Sequence, residues 1–93
     1  MTIKAELWTK DNCSFCQKAK NLLKLRGIAY EEHIISAGVN ESELNENQRY
    51  VTLEQLKEKV PNAKTVPQIW LLDNDKSTYI GGYTELAAFF ESK

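Results

Sequence analysis

The chain holds two cysteines, Cys13 and Cys16, with two residues between them. That spacing closes at most a very small loop, so no disulfide framework can hold the fold together. A tetrahedral metal site within one chain needs four ligands, and His33 is the single histidine available to join the pair. The chain must therefore stand on a hydrophobic core. At about 100–200 residues per domain, its 93 residues make one domain, 1–93, with no room for a second. The composition supplies that core: 42% of residues are hydrophobic and 27% charged, a globular balance rather than a disordered one. Twelve Lys and Arg against thirteen Asp and Glu leave a net charge of −1, which removes the broad electrostatic pull of a nucleic-acid binder.

Residues 1–6 show no basic stretch followed by an apolar run, and the longest apolar run, 69–72, is far short of the ~20 residues of a membrane helix. The expectation is a cytoplasmic monomer with neither a membrane nor a nucleic-acid partner. In a reducing compartment a C-x-x-C pair is catalytic or metal-binding rather than structural.

Ile3, Ala5 and Leu7 alternate with Lys4 and Glu6, the period of a strand with one buried face. A polar turn, 9–12, leads to a helix whose Phe15, Ala19, Leu22 and Leu23 recur at helical spacing. Asn12 and Ser14 both fit as its cap, and Gly27 stops it. Residues 29–35 are rich in aromatic and β-branched types and form a second strand. The most polar stretch, 36–49, is expected to be a solvated loop. Thr52 and Gln55 form a capping box for a second helix, which Pro61-Asn62 ends. Residues 66–72 and 76–80 form a hairpin about the turn Asp73-Asn74-Asp75, Gly81-Gly82 breaks it, and a last helix runs over about 84–92. The architecture expected is α/β: a four-stranded mixed sheet flanked by three helices in the order β-α-β-α-β-β-α.

The cysteine pair falls where the first strand hands over to the first helix. Backbone N–H groups there are unpaired and the helix dipole is positive, so an anion is stabilised. Cys13 should be the readier thiolate, with Lys10 as a second positive influence. Cys16 shares the face of Ala19 and Leu23, toward the core. Thiol–disulfide exchange needs this division: Cys13 attacks and Cys16 resolves. His33 is expected to face the sheet or solvent rather than to act in catalysis.

Three motifs, in order along the chain, resemble the glutaredoxin family. Trp8-Thr9-Lys10-Asp11-Asn12-Cys13-Ser14-Phe15-Cys16 resembles its Y-T-K-x-x-C-P-Y-C stretch, Thr65-Val66-Pro67-Gln68-Ile69 its T-V-P-x-[IV] segment, and Ile80-Gly81-Gly82-Tyr83-Thr84-Glu85-Leu86 its I-G-G-x-[ST]-[DE]-L signature. Ser14 and Phe15 stand where the family usually has Pro and Tyr. The resemblance implies a thioredoxin fold, a redox-active dithiol at Cys13 and Cys16, and glutathione as reductant. It implies glutathione contacts at Lys10, Phe15, Thr65, Val66, Pro67, Gly82, Tyr83, Thr84 and Glu85. Pro67 would follow a cis bond and set the Val66 backbone beside Cys13. Lys10 would meet the glycyl carboxylate, and the free N–H groups at the start of the last helix the γ-glutamyl one, with Glu85 on the ammonium. The implied substrates are disulfide or glutathionylated proteins, a ribonucleotide reductase among the candidates. The alternative is a [2Fe–2S] cluster held between two subunits by Cys13 and glutathione.

Overall fold

The computed structural model describes residues 3–11, 13–35 and 44–91. Eight elements follow in order: β1 (Ile3–Lys10), α1 (Ser14–Leu25), β2 (Ala29–Ile35), β3 (Gln48–Val51), α2 (Leu53–Lys59), β4 (Gln68–Asp73), β5 (Lys76–Gly81) and α3 (Tyr83–Glu91). They build one sheet in the order β3-β2-β1-β4-β5. β1 pairs with β2 in parallel, as the intervening helix requires, and β4 turns back to pair antiparallel with both β1 and β5.

The alternation of β1 sorts the core into two layers. Ala5 and Leu7 pack with Ile69 and Leu71 against Ala19 and Leu23 of α1 and Leu86 of α3. Trp8 faces the other way and packs with Trp70, Val51 and Leu56 of α2. Helices thus cover both faces, and each fully buried leucine contributes about 1.5–3 kcal/mol. The stop of α1 is a Schellman motif. Gly27 has φ +70°, its N–H donates to Lys24 O at 3.1 Å, and the Ile28 N–H donates to Leu23 O at 2.9 Å.

The sheet has five strands, not four. The end of the stretch expected as a loop, with the two residues after it, forms β3, which adds to β2 in parallel with Glu32 opposite Gln48 and Ile35 opposite Val51. Residues 36–43 lie outside the described part of the chain. The other boundaries move by a residue or two: β4 begins at Gln68, after Pro67, and α3 begins at Tyr83.

A buried carboxylate joins four of these elements. Glu32 of β2 accepts from Thr9 Oγ1 of β1 at 2.7 Å, Lys20 Nζ of α1 at 3.0 Å and Gln48 Nε2 of β3 at 2.8 Å. Burial pushes its carboxyl up, but these three bonds outweigh burial and hold it below the ordinary range. On the opposite face His33 stacks on Trp8 with ring centroids 4.9 Å apart, so it faces the sheet as expected. Both of its ring nitrogens are buried without a hydrogen-bond partner, and burial pulls its pKa down.

Candidate active site

β1 ends at Lys10 and α1 begins at Ser14, so the chain reverses at the top of the sheet and leaves Cys13 as the N-cap. The Cys16 N–H donates to Cys13 Sγ at 3.2 Å, which turns one of the unpaired amides of α1 onto the sulfur. No acidic residue in the first turn of α1 opposes the dipole. Asn12 lies outside the described residues, and the cap is Cys13 rather than Ser14. Cys13 and Cys16 are joined as a disulfide, their Cα atoms 5.2 Å apart. Their exposures differ: Cys13 is half-buried, whereas Cys16 retains 1% of its surface and packs at the start of the row that continues into Ala19 and Leu23.

The segment before β4 closes over this sulfur. Val66–Pro67 is a cis peptide, Pro67 is buried, and Val66 O lies 3.8 Å from Cys13 Sγ. A cleft of about 220 Å³ runs beside it, lined by Phe15, Thr65, Val66, Pro67, Gly82, Tyr83, Thr84 and Glu85. Phe15 is 52% exposed and leans on Tyr83 with ring centroids 6.2 Å apart, forming a lip. Eight of the residues expected at the site therefore share one cleft. Lys10 does not line it. It lies in a neighbouring groove of about 480 Å³ that has Thr65 and Val66 in common with the cleft.

Just before α3, the Gly82 N–H donates to Glu85 Oε1 at 2.7 Å, so the chain's own carboxylate caps the residue that leads into the helix. Thr84 sits inside the helix, one residue beyond Tyr83. The glycines make this closure possible. Gly81 has φ +118°, and a Cβ there would lie 2.9 Å from Glu85 Cγ.

Leu53, Lys57 and Lys64 belong to the neighbouring groove, and no motif in the sequence marked them. The helical face of Leu53 and Leu56 was legible, but that it borders the site depends on how α2 docks. Among the described residues no group of three His, Cys, Asp or Glu converges on a metal position. A [2Fe–2S] cluster would draw on Cys13 alone within a chain, with its other ligands from outside.

No helix among the described residues is long and apolar enough to cross a membrane. A model of the glutaredoxin family matches residues 5–76. A probable glutaredoxin of Synechocystis sp. is 28% identical over 88 residues, covering 95% of this chain and 83% of that protein. Glutaredoxin 3 of Escherichia coli is 30% identical over 83 residues, covering 89% and 81%. Among solved structures, glutaredoxin 1 from Francisella tularensis, crystallised with cacodylate, matches with TM-score 0.67 and 26% identity over 98% of this chain and 95% of that one. A glutaredoxin from Brucella melitensis matches in fold, with TM-score 0.55 and 18% identity over 98% and 82%. With a C-x-x-C pair at a helix start, a thioredoxin-like sheet and a family match over most of its length, the chain belongs to the glutaredoxins, a family of thiol–disulfide oxidoreductases.

Proposed function

We propose that the protein is a glutathione-dependent dithiol oxidoreductase that reduces protein disulfides and glutathione mixed disulfides. The observation that carries this reading is the asymmetry of the pair: a half-exposed Cys13 sulfur receiving an amide N–H at the start of α1, with Cys16 buried behind it.

In the reduced enzyme the Cys13 thiolate attacks one sulfur of the substrate disulfide. A bond forms between Cys13 and that sulfur, and the other substrate sulfur leaves as a thiolate and takes a proton. Cys16 then loses its proton and attacks Cys13 Sγ, which forms the Cys13–Cys16 disulfide and releases the second substrate thiol. Two glutathione molecules restore the dithiol and leave as glutathione disulfide. Glutaredoxins are poised at about −200 to −230 mV, within reach of the glutathione pool. For a glutathione mixed disulfide, Cys13 attacks the glutathione sulfur and a second glutathione resolves the adduct, so Cys16 is dispensable.

The cleft supports the glutathione seat. The Val66 carbonyl and amide can pair with a peptide-like strand beside Cys13, and the start of α3 offers its remaining amides to the γ-glutamyl carboxylate. Glu85 then receives the ammonium once it leaves Gly82. Lys10, across the shared wall of Thr65 and Val66, reaches the glycyl carboxylate.

The test is a glutathione-coupled reduction assay on wild type, Cys13→Ser and Cys16→Ser, with a glutathione mixed disulfide and a protein disulfide as substrates. Cys13→Ser should lose both activities by more than about a hundredfold, the scale of losing a covalent nucleophile. Cys16→Ser should keep the first activity and lose most of the second. Equal losses in both variants on both substrates would refute the division of roles. A visible spectrum of anaerobically purified protein accompanies the assay; charge-transfer bands that vanish in Cys13→Ser would assign the cluster reading instead.

A further inference from the structure

The larger groove beside the cleft extends past Lys10, the residue assigned above to the glycyl carboxylate, along α2 and the segment before β4. Ile35, Ala63 and Val66 supply apolar surface to it above the buried Leu56, and Leu53, 49% exposed, adds to that surface. Lys10, Lys57 and Lys64 also line it, and no carboxylate does; Glu54 and Glu58 of the same helix stay outside. None of the three lysines makes an ion pair among the described residues. In a chain of net charge −1, this concentrates positive charge at one place. The groove and the cleft share Thr65 and Val66, and Val66 O is 3.8 Å from Cys13 Sγ. A segment lying in the groove therefore runs directly up to the reacting sulfur.

We infer that this groove is a docking site for polypeptide substrates, and that it selects an acidic segment with an apolar side chain next to the disulfide cysteine. The inference rests on the thiol–disulfide reading above and adds a substrate class to it. The apolar surface takes the side chain, and the lysines attract and orient the flanking carboxylates. A nucleic acid would use the lysines but not the exposed leucine. Specificity comes from the approach: opposite charge raises the encounter rate, and the effect fades with salt.

Two homodimeric peptide disulfides of equal length test it, each with a leucine beside its cysteine, one flanked by glutamates and the other by lysines. Each consumes two glutathione molecules and yields two peptide thiols and one glutathione disulfide. The glutathione–mercaptoethanol mixed disulfide serves as the small control. Wild type should reduce the acidic peptide with a kcat/KM about tenfold above that for the basic one at low salt, the gap closing as salt rises. Lys57→Glu should bring that ratio close to one, and Leu53→Ser should raise KM for the acidic peptide severalfold. Equal kcat/KM for the two peptides, with the small disulfide turned over, overturns the docking site and leaves the thiol chemistry standing. Failure on the small disulfide overturns the thiol chemistry itself. The groove is then judged by methyl NMR on titration with the acidic peptide carrying serine for cysteine. Shifts at Leu53 and Leu56 sustain it, and their absence removes it.

Discussion

At position 81 the backbone adopts a conformation open to glycine and strained for other residues, and it does so where β5 meets α3. The same residue leaves room for Glu85 to fold back onto the Gly82 amide. Gly81→Ala should therefore destabilise the protein by more than about 1 kcal/mol, through both the positive φ and the collision with Glu85. Urea titration of wild type and variant measures this; an unchanged midpoint would show that the turn relaxes. Residue types of this kind were legible. Gly81-Gly82 marks a break in any pattern of strand and helix, and Cys13 and Cys16 point to their chemistry by spacing together with their place between the first strand and the first helix. The use that Glu85 makes of its carboxylate was not legible, because capping depends on the rotamer the folded turn permits.

Among the elements, α2 shows how local signals and docking divide the work. Thr52 Oγ1 accepts from the Gln55 N–H at 3.0 Å, and Gln55 Oε1 accepts from the Thr52 N–H at 2.8 Å, the reciprocal pair that the sequence predicts. The helix is only seven residues long, too short to hold itself without caps and packing. Thr52→Ala should cost about 1 kcal/mol. Amide exchange should quicken in α2 ahead of α1; uniform quickening would refute a local role for the cap. β3 is the opposite case. Gln48-Arg49-Tyr50-Val51 has no apolar alternation and continues a polar stretch, so nothing local marks it as a strand. It is one because β2 offers it a free edge, Gln48 reaches Glu32, and Val51 enters the layer of Trp8 and Trp70. A strand held by partners distant in sequence leaves little trace in its own composition.

Across the whole molecule, Glu32 ties β1, β2, β3 and α1 together, and α1 carries the reactive pair. Glu32→Gln should cost about 2 kcal/mol at pH 7, chiefly by leaving the half-buried Lys20 ammonium without its counter-charge. The pH dependence follows from the direction of the shift. The folded Glu32 carboxyl lies below its unfolded value near 4.5, so its contribution is complete above that pH and fades as pH falls below it. His33 adds an earlier loss. Buried and neutral, with a folded pKa below its ordinary 6.5, it favours the folded state above that pH and opposes it as pH falls further. Stability of wild type should thus decline in two windows, one below about 6.5 and one below about 4.5. His33→Leu should flatten the first, and the difference between wild type and Glu32→Gln should shrink in the second. Thermal unfolding from pH 8 to pH 3 decides both; an unchanged upper window in His33→Leu would show that His33 is protonated in the fold. Glu6, whose carboxyl burial pushes up but bonds from Lys59 and Trp8 hold low, keeps some acid sensitivity in both variants.

By itself the sequence determined the order of seven of the eight elements, the alternation of β1, the C-terminal stop of α1, the cap of α2, and the chemistry available at Cys13 and Cys16. These are local matters: side-chain period, capping groups and the spacing of two sulfurs are set within a few residues of chain. The tertiary structure alone decided which cysteine is sealed, where β3 attaches, how Glu32 and His33 are buried, and that Leu53, Lys57 and Lys64 line one groove with Thr65 and Val66. Each of those depends on contacts between segments far apart in the chain, and such contacts are chosen by packing the whole core rather than by any short run of residues.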